Sequence, residues 1–391
     1  VPSALREQRK QMSIRRPLAR RLVIGVTGAL IVAIVATATI AAWLLRDREF
    51  DNWERQLSLL TLALAEHTSQ SMSSAEIAML SIAEQIDALG IRDVEDLHVR
   101  AGTEGVHRML KERIVGLHQV DVATIVDANG DVVNFSRSFP PPRINLADRD
   151  YFRMRRDFPE IGTFVSLPVR NKGTGTWLFY LSVRLNDVRG RFVGLAIVGI
   201  SVDQLSDFYR KLCAKLGDGA TITLLRSDFT NLTRWPLKEE TIGKQNLIGS
   251  SHFVVAELQK SDDVVRMDGP RFSEAGRIVP RLGAVRVLER YPLIVNLSIP
   301  EDLILTHWRR TTVSIGTVAG GSLLALGLAV MVLLRILRQR EESTALLDNL
   351  TDRVPGVLFQ LRIYPDGQAN FPYVNQPFLD QYGLKREQLP V

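Results

Sequence analysis

With 391 residues, 46% of them apolar and 24% charged, the chain is too long for one ordinary domain and rich enough in apolar side chains to build more than one core. Its net charge of +6 is accounted for by the first 21 residues, where seven cations (Arg6, Arg9, Lys10, Arg15, Arg16, Arg20, Arg21) face one acid, Glu7; the rest is close to neutral, which argues against nucleic-acid binding and for a basic tail beside a membrane. The single cysteine, Cys213, excludes an intramolecular disulfide, a thiolate metal cluster and a CxxC redox motif, and reads as a small buried hydrophobe.

Leu22 to Leu45 contains no charged side chain and is long enough to cross a hydrocarbon core of roughly 30 Å. Thr311 to Leu334 repeats the pattern. Trp43 and Trp308 bound these runs at the ends facing the middle of the chain, a place that suits an indole at the boundary of lipid and water. The basic cluster before Leu22, and Arg335, Arg338 and Arg340 after the second run, place both flanks in the cytoplasm and export residues 46–310. Arg309 and Arg310 pull weakly the other way. A cleaved signal peptide fits the first run less well, because the run exceeds an ordinary h-region and its AxA-like stretch lies inside it. Gly316 and Gly320 form a GxxxG pair, a weak signal for close approach of two second spans.

Beyond the first span, Phe50, Trp53, Leu57, Leu60 and Leu64 recur at steps of three and four and predict an amphipathic helix. Such a helix can pair with its twin in a homodimer or pack along its own domain; pairing is the preferred reading. A second helical stretch is expected around Ile77 to Leu89. Then the pattern turns to β-runs broken by turn residues. Residues 122–127, the turn Ala128 to Asp131 and residues 132–137 read as a hairpin. Strands follow at Phe164 to Val169, Thr176 to Leu185 and Val193 to Ile200, with turns at Gly173 to Gly175 and Asp187 to Gly190. Together they make an antiparallel sheet of about five strands. A helix from about Gln204 to Lys215 leads to a second β-rich set: Ala220 to Leu225, His252 to Leu258, Gly283 to Leu288 and Leu293 to Ser298.

NLADRDYFRMRRD (Asn145 to Asp157), FVSLPV (Phe164 to Val169), TGTWLFYLSVRL, FVGLAIVGISVDQLSDFY and the later SDFTNLTRWP (Ser227 to Pro236) together resemble the double Cache domain of bacterial sensor proteins, over roughly Asp47 to Trp308. The resemblance implies an α+β fold: two transmembrane helices (22–45 and 311–334) flanking an extracytoplasmic double Cache domain at 46–310. It has a long N-terminal helix, a membrane-distal module at about 95–203 and a membrane-proximal module at about 216–300. It also implies a small-molecule pocket in the distal module.

The residues support a pocket independently. Arg149, on a loop beside Tyr151 and Phe152, offers a planar two-pronged donor for a carboxylate together with aromatic walls. Arg170, Trp177, Tyr180 and Arg184 lie on strands that could face the same cavity. The competing reading pairs Arg149 with Asp148 or Asp150 and buries Tyr151 and Phe152 as core. In amino-acid-binding relatives, the resemblance adds an upstream Tyr and an Asp that holds the ligand amine; the corresponding places here are Ile144 and Gly199. Without that carboxylate a buried ammonium lacks its partner, so a carboxylate or another anion is expected rather than an α-amino acid. Phe139 to Pro142 reads equally well as a stiff rim or an exposed loop.

After a linker at 335–344, residues 345–391 resemble the first half of a PAS domain, with ValProGly, a strand, a ProAspGly turn (Pro365 to Gly367), a second strand and a helix ending TyrGlyLeu. A half-sheet leaves an open edge and little core, so the chain is expected to continue past Val391. Proteins of this order continue into a diguanylate cyclase (c-di-GMP signalling) or a histidine kinase (a two-component system). Neither module is present, no catalytic residue is assigned, and neither cofactor nor metal is expected. His67, His98, His107, His118, His252 and His307 are scattered without metal-binding spacing. A chemoreceptor and a non-sensing membrane scaffold are the rival readings.

Overall fold

The computed structural model describes the backbone of residues 2–160, 162–271, 276–353, 356–364, 368–384 and 389, and side chains from Arg21 onward except those of residues 271, 341, 344–353 and 369. It divides into two compact units, Arg46–His307 on one hand and Val1–Leu45 with Trp308–Val391 on the other.

Helix α1 (Pro2–Asp87) is continuous, so the two helical stretches expected after the first span are one. Within the central unit its apolar stripe lies on its own domain: Leu57, Met72, Met79, Ile82 and Ile86 are fully buried and share one core with both sheets. Each such side chain contributes about 1.5–3 kcal/mol. This corrects the preference for helix pairing through that stripe, since Leu57 and Leu64 are occupied within one chain. Two short helices not foreseen, α2 (Val94–Ala101) and α3 (Glu104–Ile114), follow. Asp93 and Thr103 cap them through their side chains.

The first sheet consists of β1 (Val120–Asp127), β2 (Val132–Phe135), β3 (Phe164–Val165), β4 (Val169–Arg170), β5 (Trp177–Asn186) and β6 (Phe192–Ser201), in the order β2-β1-β6-β5-β3 with β4 also on β5. All pairs are antiparallel. The single strand expected over Phe164 to Val169 is split, Pro168 lying between its two short pieces. Between β2 and β3 stands α4 (Asp150–Asp157). The element anticipated as a loop is therefore a helix start: Arg149 is its N-cap, and Tyr151 and Phe152 occupy its first turn.

Helix α5 (Val202–Leu216) carries Cys213, buried as expected, with burial pushing its thiol up to about 12. The second sheet has β7 (Thr221–Arg226), β8 (Asn231–Trp235), β9 (Asp262–Arg271), β10 (Arg277–Val287) and β11 (Leu293–Pro300), in the order β8-β7-β11-β10-β9. The strand expected at His252 to Leu258 is helical instead: α6 (Ser250–His252) runs into a wider turn at Phe253–Glu257. Its Val254 and Val255 favour a strand, but Ser251 and Val254, three apart, are the residues it buries. The true edge strand β9 was not foreseen, and tertiary packing here overrides β-propensity.

In the other unit, α1 and α7 (Glu301–Arg353) supply two helices long and apolar enough to cross a membrane. Leu22, Val32, Leu324 and Met331 on them are exposed. Hydroxyls of Thr27, Thr37, Thr39 and Ser322 donate to carbonyls four residues back at 2.7–2.9 Å, which satisfies them without water. Trp308 Nε1 donates to the Ala42 carbonyl at 2.7 Å. Near the C-terminus, β12 (Phe359–Ile363) and β13 (Ala369–Val374) form an antiparallel pair, and α8 (Gln376–Tyr382) is capped by Asn375 and ends at Gly383 with φ +63°. Val374, Phe378 and Leu379 form a small core with Leu389. The Pro365 to Gly367 turn and Val354–Pro355 lie outside the described residues.

Candidate functional site

Arg149 enters the site because α4 starts there. Asp150 folds back onto the Tyr151 N–H at 2.8 Å and accepts from the Leu167 N–H at 2.7 Å, which ties the helix start to the β3–β4 connection. The Arg149 side chain, 16% exposed, then lines a cavity of about 20 Å3 with Tyr151, Tyr180, Ile144 and Asn171, about the room of a single water molecule. Arg149 Nη2 donates to the Arg170 carbonyl at 3.1 Å. Its Nε is buried and meets no acceptor among the described residues.

The competing reading is met in part: Arg149 forms a long ion pair with Asp148, and Tyr151 and Phe152 are buried as core. Asp148 Oδ1 stands 4.0 Å from Arg149 Nε and accepts from Lys172 Nζ at 2.9 Å; that hydrogen bond is the main reason its carboxyl lies below the usual range. Asp150 is engaged as above and faces Arg226 at 3.8 Å.

The Tyr151 and Tyr180 rings lie 5.0 Å apart. Burial pushes both phenols above their ordinary value, so they act as neutral hydrogen-bonding walls. Asn171 orients one of them by donating to Tyr180 Oη at 3.2 Å, while its Oδ1 accepts from the Gly173 and Thr174 N–H groups. Arg170 contributes its carbonyl and forms the rim: its 57% exposed side chain pairs with Glu239 at 2.6 Å and covers the Trp177 ring at 5.1 Å.

Three expected residues lie outside the cavity lining. Phe152 is fully buried and packs edge-on against Phe192. Trp177 packs against the main core. Arg184 donates to the carbonyls of Arg155 and Arg156 at 2.8 and 3.0 Å and stacks on Phe192, closing the C-terminal end of α4. Asn171 and Lys172, by contrast, line the cavity without having been singled out; an Asn opening LysGlyThrGly is a legible Asx turn. Ile144 also lines it, and Gly199 sits beneath the Tyr180 ring, where a Cβ would come within 2.9 Å of Tyr180 Cε1 and Val122 Cγ1.

No family model and no curated protein matches the chain. Solved structures do. The extracellular domain of rpHK1S-Z16, described as a histidine kinase, aligns over 66% of this chain and 99% of its own length, at 27% identity and a TM-score of 0.54. The sensory domain of the Campylobacter jejuni chemoreceptor Tlp3 with isoleucine bound aligns over 66% of this chain and 97% of its own, at 13% identity and a TM-score of 0.46. The ligand-binding domain of Mlp24 with asparagine covers 68% and 98%, at 12% and 0.46. The central unit thus has the fold of an extracellular sensor domain.

Proposed function

We propose that the chain is a transmembrane receptor that binds a small anion, a carboxylate above all, outside the cytoplasm and relays its presence to a cytoplasmic output module. The observation that carries this reading is the buried Arg149 Nε–H, which lines a cavity between two tyrosines and has no acceptor among the described residues. An unmet buried donor is costly, and a carboxylate would satisfy it in the planar geometry a guanidinium offers. A ligand larger than 20 Å3 must displace the cover formed by Pro142, Ile144 and residues 169–173. That displacement is the differential contact a signal requires. Thr163, six residues before Val169, donates its hydroxyl to Glu76 of α1, a route by which a shift of the cover would reach the helix that includes the first apolar run.

The residues after the second span are read as the start of a PAS unit and the output as a diguanylate cyclase. A histidine kinase is the second reading, favoured by the likeness to the rpHK1S-Z16 domain. Homodimerisation would use another face of α1, where Leu59, Leu62, Ile77 and Leu80 are exposed.

Arg149→Ala is expected to lower the affinity for the recognised carboxylate 10- to 100-fold, the loss of about 1.5–3 kcal/mol for a charge-assisted bond. Calorimetry of the full chain in nanodiscs against acetate, propionate and succinate checks it. A folded protein that binds none of them, or an Arg149→Ala variant that binds as tightly, sinks the reading, as would reporter fusions placing Asn145 in the cytosol.

A further inference from the structure

The two sheets differ on the face turned away from the shared core. In the first sheet that face carries Val122, Leu178, Tyr180, Leu195 and Ile197 and is filled by Tyr151 and Phe152. In the second it is divided: Leu225, Val285 and Ile294 pack against Val254 at one end, and the rest is polar. Thr221 and Thr223 of β7 stand opposite Ser298 and Asn296 of β11, and Arg281 and Gly283 of β10 continue the same face. Together with the segment from Lys244 to Ser251 they line a cavity of about 450 Å3, in the range of small-molecule sites and more than an order of magnitude larger than that at Arg149.

This polar face is built rather than incidental. Buried Arg281 is held by Ser298 Oγ at 2.9 Å and the Gly219 carbonyl at 2.9 Å. Asn296 donates to Ser250 Oγ and Ser251 Oγ at 2.7 and 2.9 Å, which docks the covering segment. That docking requires glycine at 283, where a Cβ would lie 2.8 Å from Ser250 Oγ.

One group in the lining is left unmet. Asn231 is 4% exposed, and its Oδ1 is buried with no donor among the described residues. Its amide orientation is determined: the Thr241 hydroxyl donates to the Lys238 carbonyl at 2.8 Å, so Thr241 Oγ1 can only accept, and Asn231 Nδ2 donates to it at 2.9 Å. Oδ1 is therefore a buried acceptor left without a donor among the described residues, on a residue of the cavity lining. The charged groups of the lining are Arg234, Lys244 and Arg281 against Asp268, an excess of positive charge that favours an anion.

We infer that the second module holds a binding site of its own for a small hydroxylated carboxylate, the carboxylate drawn by the cationic side and a hydroxyl donated to Asn231 Oδ1. This goes beyond the reading of the Arg149 site and does not depend on it. The test titrates the full chain in nanodiscs with D-gluconate and with L-malate by calorimetry. It also follows modification of a Thr223→Cys variant by a small methanethiosulfonate, against a background in which Cys213 is buried. Saturable binding of either acid, weakened tenfold or more by Asn231→Leu, together with slowed modification of the thiol introduced by Thr223→Cys, is the expected result. Where Asn231→Leu does not fold, protection of the introduced thiol decides alone. No saturable binding of either acid to the folded protein overturns the inference, as does binding that leaves the introduced thiol unprotected. Loss of the Arg149 reading would leave that protection unchanged.

Discussion

Gly199→Asp is expected to destabilise the extracytoplasmic unit by about 3–5 kcal/mol, through overpacking and a buried unpaired carboxylate, and to confer no affinity for α-amino acids. The new Cβ would meet Tyr180 Cε1 and Val122 Cγ1 at 2.9 Å and Leu178 Cδ1 at 3.1 Å, atoms of buried side chains in a closed apolar cluster. The carboxylate would then sit among the buried side chains of Tyr180, Val122 and Leu178. Its burial raises its pKa, so the loss should be smaller at pH 4 than at pH 7. At roughly 2–4 °C per kcal/mol for a domain of this size, thermal unfolding should fall by about 10 °C, with Gly199→Ala intermediate. An unchanged Tm together with binding of serine or alanine would show that Tyr180 swings aside and would restore the amino-acid reading.

Much of this fold was legible where the physics is local. Two uncharged runs long enough for a bilayer, alternating strands bounded by AsnGly and GlyThrGly turns, and a heptad-like stripe each depend on neighbours within a few residues. Where the outcome depended on distant chain, the reading failed. His252 to Leu258 looks like a strand until the second sheet is found to be bounded by β8 and β9, leaving the segment to cover a face. Arg184 is as plausible a ligand donor as Arg149 until α4 places the carbonyls of Arg155 and Arg156 beside it. The polar part of the second module's cavity lining was half visible: Thr221-Ile-Thr223 and Asn296-Leu-Ser298 alternate cleanly. Alternation separates two faces, but it does not say that the polar one is covered. At Arg149 the chemistry was readable and the volume was not, since cavity size is set by how Tyr151 and Tyr180 pack.

Glu76→Ala is expected to cost about 3 kcal/mol and to uncouple the sensor modules from α1, the cost being mostly that of a buried hydroxyl left without its acceptor. The carboxylate is 6% exposed and gathers donors from both modules: the Thr163 hydroxyl, which precedes the cover of the Arg149 cavity, and Arg290 Nη2 and Tyr291 Oη of the second module, these last two at 2.8 Å. Arg290 is 60% exposed and recovers water when Glu76 is lost, so its share is small. Tyr291 is buried, and leaving its hydroxyl without an acceptor costs about 1–3 kcal/mol. Burial first, and then the Glu76 carboxylate, push Tyr291 up to about 12. A phenol whose folded pKa exceeds its unfolded value of about 10 stabilises fully below pH 10 and loses that contribution as pH rises through about 12. Alkaline unfolding should therefore steepen over that window in the unmodified protein, flatten in Tyr291→Phe and begin at lower pH in Glu76→Ala. A double-mutant cycle between the two should return a coupling of about 1–2 kcal/mol. Carboxylate binding at Arg149 should persist in Glu76→Ala, because Glu76 does not line that cavity, while the ligand-dependent change in cross-linking between two chains carrying Leu59→Cys should disappear. Additive single effects, or cross-linking that still responds to ligand, would show that the modules reach α1 by another route.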